Sequence, residues 1–283
     1  MSQVTPLVST DWLAEALGRP GIVVLDATYH LPNVPRDARA EYAREHVPGA
    51  LFFDVDGISD PNSDLPHMLP SAAEFARVAE ALGIGDDDHV IAYDTYGLMS
   101  AARPWWMFRI FGHDKVSVLD GGLAKWKREG RPLADTASKP ASGKRFTARF
   151  RADLVRSKDQ VLANLRGHTE QVLDARAAAR FQGTAPEPRQ GLRSGHIPGS
   201  RNLPFNRLLD PADQTMLPPE KLKALFAEAG IDPAKPIVTS CGSGVTACVL
   251  ALGLERIGAR NVAIYDGSWS EWGQPGNTPV ETG

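Results

Sequence analysis

The stretch PIVTSCGSGVTACVLALGLERIG, Pro236 to Gly258, decides how the chain is read. A short apolar run, Ile237 and Val238, passes through Thr239 and Ser240 to Cys241, and Gly242, Ser243 and Gly244 follow. Beyond them apolar residues recur at helical spacing, with Val245, Cys248, Val249 and Leu252 on one face. Strand, glycine loop and helix in that order belong to α/β folds with parallel sheets, whose ligands gather at the carboxyl ends of the strands. Cys241 stands at such an end. The glycines permit a tight turn and unusual φ values. Successive N–H groups ahead of a helix make an anion-binding concavity, and a helix N-terminus lowers a thiol pKa from about 8.5 toward neutrality or below. The loop suits a reactive sulfur anion. Cys248, one turn inside the apolar face, reads as core packing.

The landmarks around this stretch occur twice. IVVLDA (Ile22 to Ala27) answers QVLDAR, HVPGA answers HIPGS, HMLPSAAEF answers TMLPPEKLKALF, and VLDGGLAKW answers IYDGSWSEW. Asp26 and Asp174, His46 and His196, and Asp120 and Asp266 lie 148, 150 and 146 residues apart. A nearly constant offset marks a duplicated domain. The expected organisation is an N-terminal domain over residues 1–135, a Ser-, Ala-, Pro- and Lys-rich linker over 136–150, and a C-terminal domain over 151–283. Within each copy, strand-like runs alternate with helical patterns. Ser71 and Glu74 form a capping box, and Pro219 sits in a first helical turn. Each domain is therefore expected to be an α/β unit, a mostly parallel sheet covered by helices on both faces.

The first copy is an internal control. Its counterpart of the cysteine loop is VIAYDTYGLMSAARPWW, with Asp94 opposite Cys241. Aspartate is no sulfur nucleophile, so one copy reads as active, and the inactive one is expected to complete the site from across the interface. The H-[VI]-P-G histidines, His46 and His196, occur in both copies and read as a shared structural turn. Trp105, Trp106, Trp126, Trp269 and Trp272 read as packing.

Bulk composition excludes several classes. Net charge is −3, which gives no nucleic-acid footprint. Two cysteines form no disulfide framework and fit a reducing, cytoplasmic setting. The N-terminal MSQVTPLVSTDWLAEAL lacks the pattern of a secretory leader, and no apolar run reaches the roughly 20 residues that span a bilayer. No metal-ligand spacing is present, and neither a metal nor an organic cofactor is expected.

CGSGVTA, together with the duplicated VLDA, HxPG and YDGSW-type landmarks, resembles the tandem rhodanese-like sulfurtransferases over nearly the whole chain, and the loop looks most like that of the mercaptopyruvate branch. The resemblance implies that Cys241 takes a sulfur atom as a persulfide and passes it to a thiol, such as a thioredoxin-like protein, or to cyanide. It implies 3-mercaptopyruvate as donor, because the thiosulfate branch carries basic residues after the cysteine where Gly242 and Ser243 stand here. It points to Arg180 and Arg189, in ARFQGTAPEPRQG, as carboxylate and carbonyl ligands, a task suited to the planar guanidinium fork. It points to the N–H groups of Gly242, Ser243, Gly244, Val245 and Thr246 as the cradle, and to Ser243, His67 and Asp56 as a proton relay. Met99 stands where some relatives carry tyrosine, with Tyr96 displaced nearby. Alternatives are a thiosulfate sulfurtransferase and a non-catalytic sulfur-carrier or docking module. A cysteine phosphatase would need an arginine where Ala247 stands.

Overall fold

Among the described residues, 4–283 of the computed structural model, ten short strands form two sheets. The first three residues of the stretch read above as lacking a leader lie outside the described residues. The first half carries β1 (Leu7–Val8), β2 (Ile22–Asp26), β3 (Leu51–Phe52), β4 (His89–Tyr93) and β5 (Val116–Leu119), in the spatial order β1-β5-β4-β2-β3. The second carries β6 (Val155–Arg156), β7 (Gln171–Asp174), β8 (Arg201–Asn202), β9 (Ile237–Ser240) and β10 (Val262–Tyr265), in the order β6-β10-β9-β7-β8. Every ladder within both sheets is parallel. The central strands, β4 and β9, are buried almost throughout, as β-branched runs covered on both faces must be. The expected α/β class holds, and the two sheets repeat one topology.

Local signals act where the sequence places them. Ser71 and Glu74 close a capping box on the helix Ala72–Ala81, and Pro219 opens the helix Pro219–Glu228. One expectation is corrected: the helix after the cysteine loop begins at Ala247 and runs to Arg256, so Val245 belongs to the loop. Thr246 is its N-cap without a side-chain cap bond, its backbone already helical at φ −75° and ψ −15° where a capping residue is ordinarily extended.

The largest apolar cluster draws residues from both halves. At its centre the helix Ala102–Ile110, which follows the Asp94 loop, packs on Ala247–Arg256, which follows the Cys241 loop. Two smaller clusters close the outer face of each sheet, with Trp126 in one and Trp269 and Trp272 in the other. The segment between the halves is not loose. Phe146 is buried beside Phe75 and Phe108, and Lys144 pairs with Asp88. The carboxyl ends of β4 and β9 therefore both meet the seam between the halves.

Candidate active site

Cys241 lies one residue beyond β9 and is buried. Its N–H donates to Ser268 Oγ at 3.1 Å, and its carbonyl accepts the Trp269 N–H at 3.0 Å. The Gly242 carbonyl accepts from both the N–H and the hydroxyl of Ser270, at 2.8 and 2.7 Å. These bonds fix the start of the loop against the β10 turn. Of the two glycines expected to relax the loop, only Gly244 adopts a left-handed φ, +74°. A Cβ there would lie 2.8 Å from the Asp266 carbonyl and 2.9 Å from Arg103, so both conformation and space exclude a side chain. Gly242 matters for another reason: a Cβ on it would stand 3.2 Å from the Arg180 guanidinium, which covers the loop. From Gly242 to Thr246 the backbone N–H groups have no protein acceptor among the described residues, and so remain available to an anion.

The first half delivers the rest across the seam. His67 is buried, holds a φ of +63° and places Nδ1 2.9 Å from Ser243 Oγ, while Nε2 lies 2.7 Å from Asp56 Oδ1. The structure thus brings Ser243, His67 and Asp56 into one chain of hydrogen bonds. A carboxylate only accepts, so Nε2–H donates to Asp56 and the neutral ring leaves Nδ1 to accept the Ser243 hydroxyl. In the imidazolium, Nδ1–H finds Ser243 Oγ and the Ser243 carbonyl, 3.3 Å away. Both protonation states are accommodated without moving a heavy atom. Asp56 is 70 % exposed at its side chain, which opens this chain to solvent. A cavity of about 430 Å³, lined in part by Tyr29, Arg36, Arg39 and Asp56, runs up to it.

Arg180 and Arg189 differ in their partners. Arg180 is bonded to Glu187 through Nη2 and Nε, at 2.5 and 3.2 Å. Arg189 donates to the Tyr29 hydroxyl at 3.3 Å and has no carboxylate within ion-pair distance among the described residues. Tyr29 in turn sets its ring edge-on to His67, 4.9 Å between centroids. Burial pushes the Tyr29 hydroxyl above its ordinary pKa, with Arg189 pulling the other way, so the phenol stays a neutral donor and acceptor.

Tyr29 and Arg103 were not singled out by the sequence. Arg103 is buried on the helix Ala102–Ile110, yet its Nη1 donates to Asp266 Oδ1 at 2.8 Å and to the Gly244 carbonyl at 3.2 Å, and its Nη2 donates to the His67 carbonyl. One guanidinium ties His67, the cysteine loop and the β10 turn together. The Asp266 pair holds it firmly charged despite burial, with its pKa above the ordinary value. The only sequence signal is an arginine in the first turn of a mostly apolar helix, whose other cation, Arg109, sits in the last turn. Cys248 is fully buried with its thiol 3.1 Å from the Gly244 carbonyl, and burial pushes that thiol well up, away from reactivity. His46 and His196 are buried and bond to backbone carbonyls of Tyr42 and Phe181. Trp105, Trp106, Trp126, Trp269 and Trp272 lie in the cores.

Comparison with known proteins agrees with the duplicated architecture. Residues 9–129 and 157–275 each match the family model described as a rhodanese-like domain. The chain belongs to the rhodanese-like family. Among its rhodanese-like relatives, human 3-mercaptopyruvate sulfurtransferase is 47% identical over 94% of this chain and 91% of its own length. The Arabidopsis thaliana protein named thiosulfate/3-mercaptopyruvate sulfurtransferase 1, mitochondrial, is also 47% identical, over 100% of this chain and 79% of its own. The crystal structure of the Escherichia coli 3-mercaptopyruvate sulfotransferase SseA superposes with a TM-score of 0.85 at 42% identity, covering 95% of this chain and 100% of that one.

Proposed function

We propose that this rhodanese-like protein is a 3-mercaptopyruvate sulfurtransferase. The observation that carries the reading is a Cys241 loop with free N–H donors, covered by Arg180 and met at Ser243 by His67 and Asp56 of the other half, with Arg189 on the Tyr29 that flanks His67. Arg180 and Arg189 receive the donor's carboxylate and carbonyl. The Cys241 thiolate attacks the donor's sulfur. The S–S bond forms as the C–S bond breaks, and the electron pair of that bond stays on carbon as the enolate of pyruvate. Protonation of that carbon completes pyruvate. Ser243, His67 and Asp56 lie in line to move this proton. The loop N–H groups stabilise the thiolate and then the persulfide, which a thiol acceptor or cyanide discharges. The chemistry needs Cys241 as a free thiol, and so a reducing compartment such as the cytoplasm.

The test is initial rates with 3-mercaptopyruvate and thiosulfate side by side, with cyanide as acceptor, and intact-protein mass spectrometry after donor alone. Turnover of mercaptopyruvate with one added sulfur on Cys241 supports the reading. Faster transfer from thiosulfate would assign the protein to the other donor, and sulfur loading without turnover would make it a carrier.

A further inference from the structure

Glu187 lies two residues before Arg189 in the PEPRQ turn, and its side chain is only 2 % exposed. A carboxylate so buried persists only when paired, and it is paired twice. Oε1 accepts from Arg176 at 2.8 Å and Oε2 from Arg180 at 2.5 Å. Arg176, itself fully buried, grips Asp174 through Nε and Nη2 at 2.9 and 2.6 Å and lies 4.2 Å from the Trp269 ring centroid. Asp174, Arg176, Glu187 and Arg180 thus form one continuous chain whose charges sum to zero. Arg103 is likewise cancelled by Asp266. Arg189, whose partner is the neutral Tyr29 hydroxyl, is left as the one uncompensated guanidinium among these groups. Asp56 is largely in solvent, where its charge is screened.

On the sulfur-donor reading above, we infer that Glu187 is the residue that sets the charge of the donor. By cancelling Arg180 it leaves the pocket a single net cation, enough for one carboxylate. A donor with a second negative charge, placed on the group that carries its transferable sulfur, would approach the Cys241 thiolate with nothing to offset it. Arg180 still donates hydrogen bonds and still shapes the pocket, but it adds no net field. Placing a cation at Gly242 would be a poor way to reverse this preference, because the new side chain would meet Arg180. Glu187→Gln reverses it with no change in size.

The experiment compares wild type and Glu187→Gln at fixed low and high ionic strength, measuring kcat/KM for thiosulfate and for 3-mercaptopyruvate. The ratio of the two is expected to move toward thiosulfate by about tenfold at low salt and by less at high salt. A residue that merely held Arg180 in place would depress both donors in parallel, so an unmoved or falling ratio overturns the inference. A second measurement needs no variant. Oxamate and oxalate are close in shape and carry one and two negative charges, and as competitive inhibitors of wild type, oxalate is expected to bind no more tightly than oxamate. Tighter binding of oxalate overturns the inference even if Glu187→Gln does not fold. A wild type that transfers sulfur from neither donor takes down the donor reading and this inference together. Normal mercaptopyruvate turnover with an unmoved ratio takes down this inference alone.

Discussion

The loop after β4 and the loop after β9 are one turn of chain put to two uses. In the first, the Asp94 carboxylate accepts the N–H groups of Tyr96, Met99, Ser100 and Ala101 at 2.7–2.8 Å. It fills its own cradle. In the second, Cys241 stands in the same position and the loop donors are not spent on a protein acceptor. The surroundings repeat as well. Gln214 takes a φ of +62° and presses on Gly97 from the second half, as His67, with its φ of +63°, reaches Ser243 from the first. The Leu69 N–H donates to Asp266, and the Met216 N–H donates to Asp120. The fold therefore supplies an anion cradle twice, and a single side chain decides whether its occupant is permanent or exchangeable. Asp94 makes a structural knot; on the proposed reading, Cys241 makes a place for sulfur.

Six substitutions in five tests probe that contrast, taken from the largest expected effect downward. Cys241→Asp should convert the second loop into a copy of the first, keeping the fold while transfer falls by about a thousandfold or more. Residual turnover above a hundredth of wild type would place the nucleophile elsewhere. Arg103→Met removes the buried guanidinium that ties the Cys241 loop to His67, and leaves Asp266 without its cation. Urea unfolding should show a loss of about 3–5 kcal/mol, and a loss under about 1 kcal/mol would mean Asp266 needs no such partner. Arg189→Ala should lower kcat/KM for mercaptopyruvate by roughly 10- to 100-fold, since a charged hydrogen bond to the donor is worth about 1.5–3 kcal/mol. Unchanged kinetics would make Arg189 a bystander. Asp94→Asn puts an amide against four N–H donors and should cost about 1–3 kcal/mol of stability, whereas Cys241→Ser should cost less. Equal costs measured by urea unfolding would erase the distinction between filled and open cradles. Cys248→Ser should leave transfer within about threefold, because a serine hydroxyl can still donate to Gly244; loss of the persulfide in this variant would contradict its reading as core.

Much of this was legible in the chain. The duplication showed in repeated landmarks, and the strand–glycine–helix order placed Cys241 at a strand end. Ser243, His67, Asp56, Arg180 and Arg189 came from resemblance to a family, and the geometry brings Ser243, His67 and Asp56 together. What stayed hidden lies at long sequence separation. Arg103 contacts Asp266 across 163 residues and Arg189 contacts Tyr29 across 160, and no local periodicity encodes such pairs. In the sequence Asp94 shows as a missing cysteine and not as an anchor, because the donors it collects are backbone groups and any residue supplies those. The apolar spacing of Val245 continues the helical face and so predicts it in the helix, while the loop beyond Cys241 runs to Thr246 and the helix begins at Ala247.

The seam has a consequence for how the enzyme fails. On the proposed reading the nucleophile, Cys241, belongs to one half, and His67 and its tether Arg103 belong to the other. Catalytic rate is thus a strain gauge for the docking of the halves. A rotation that lengthens the bond from His67 Nδ1 to Ser243 Oγ, 2.9 Å in the docked state, would silence the protein while both sheets stay whole. Mild denaturant, pressure or a mutation far from the loop should then extinguish activity before any strand melts.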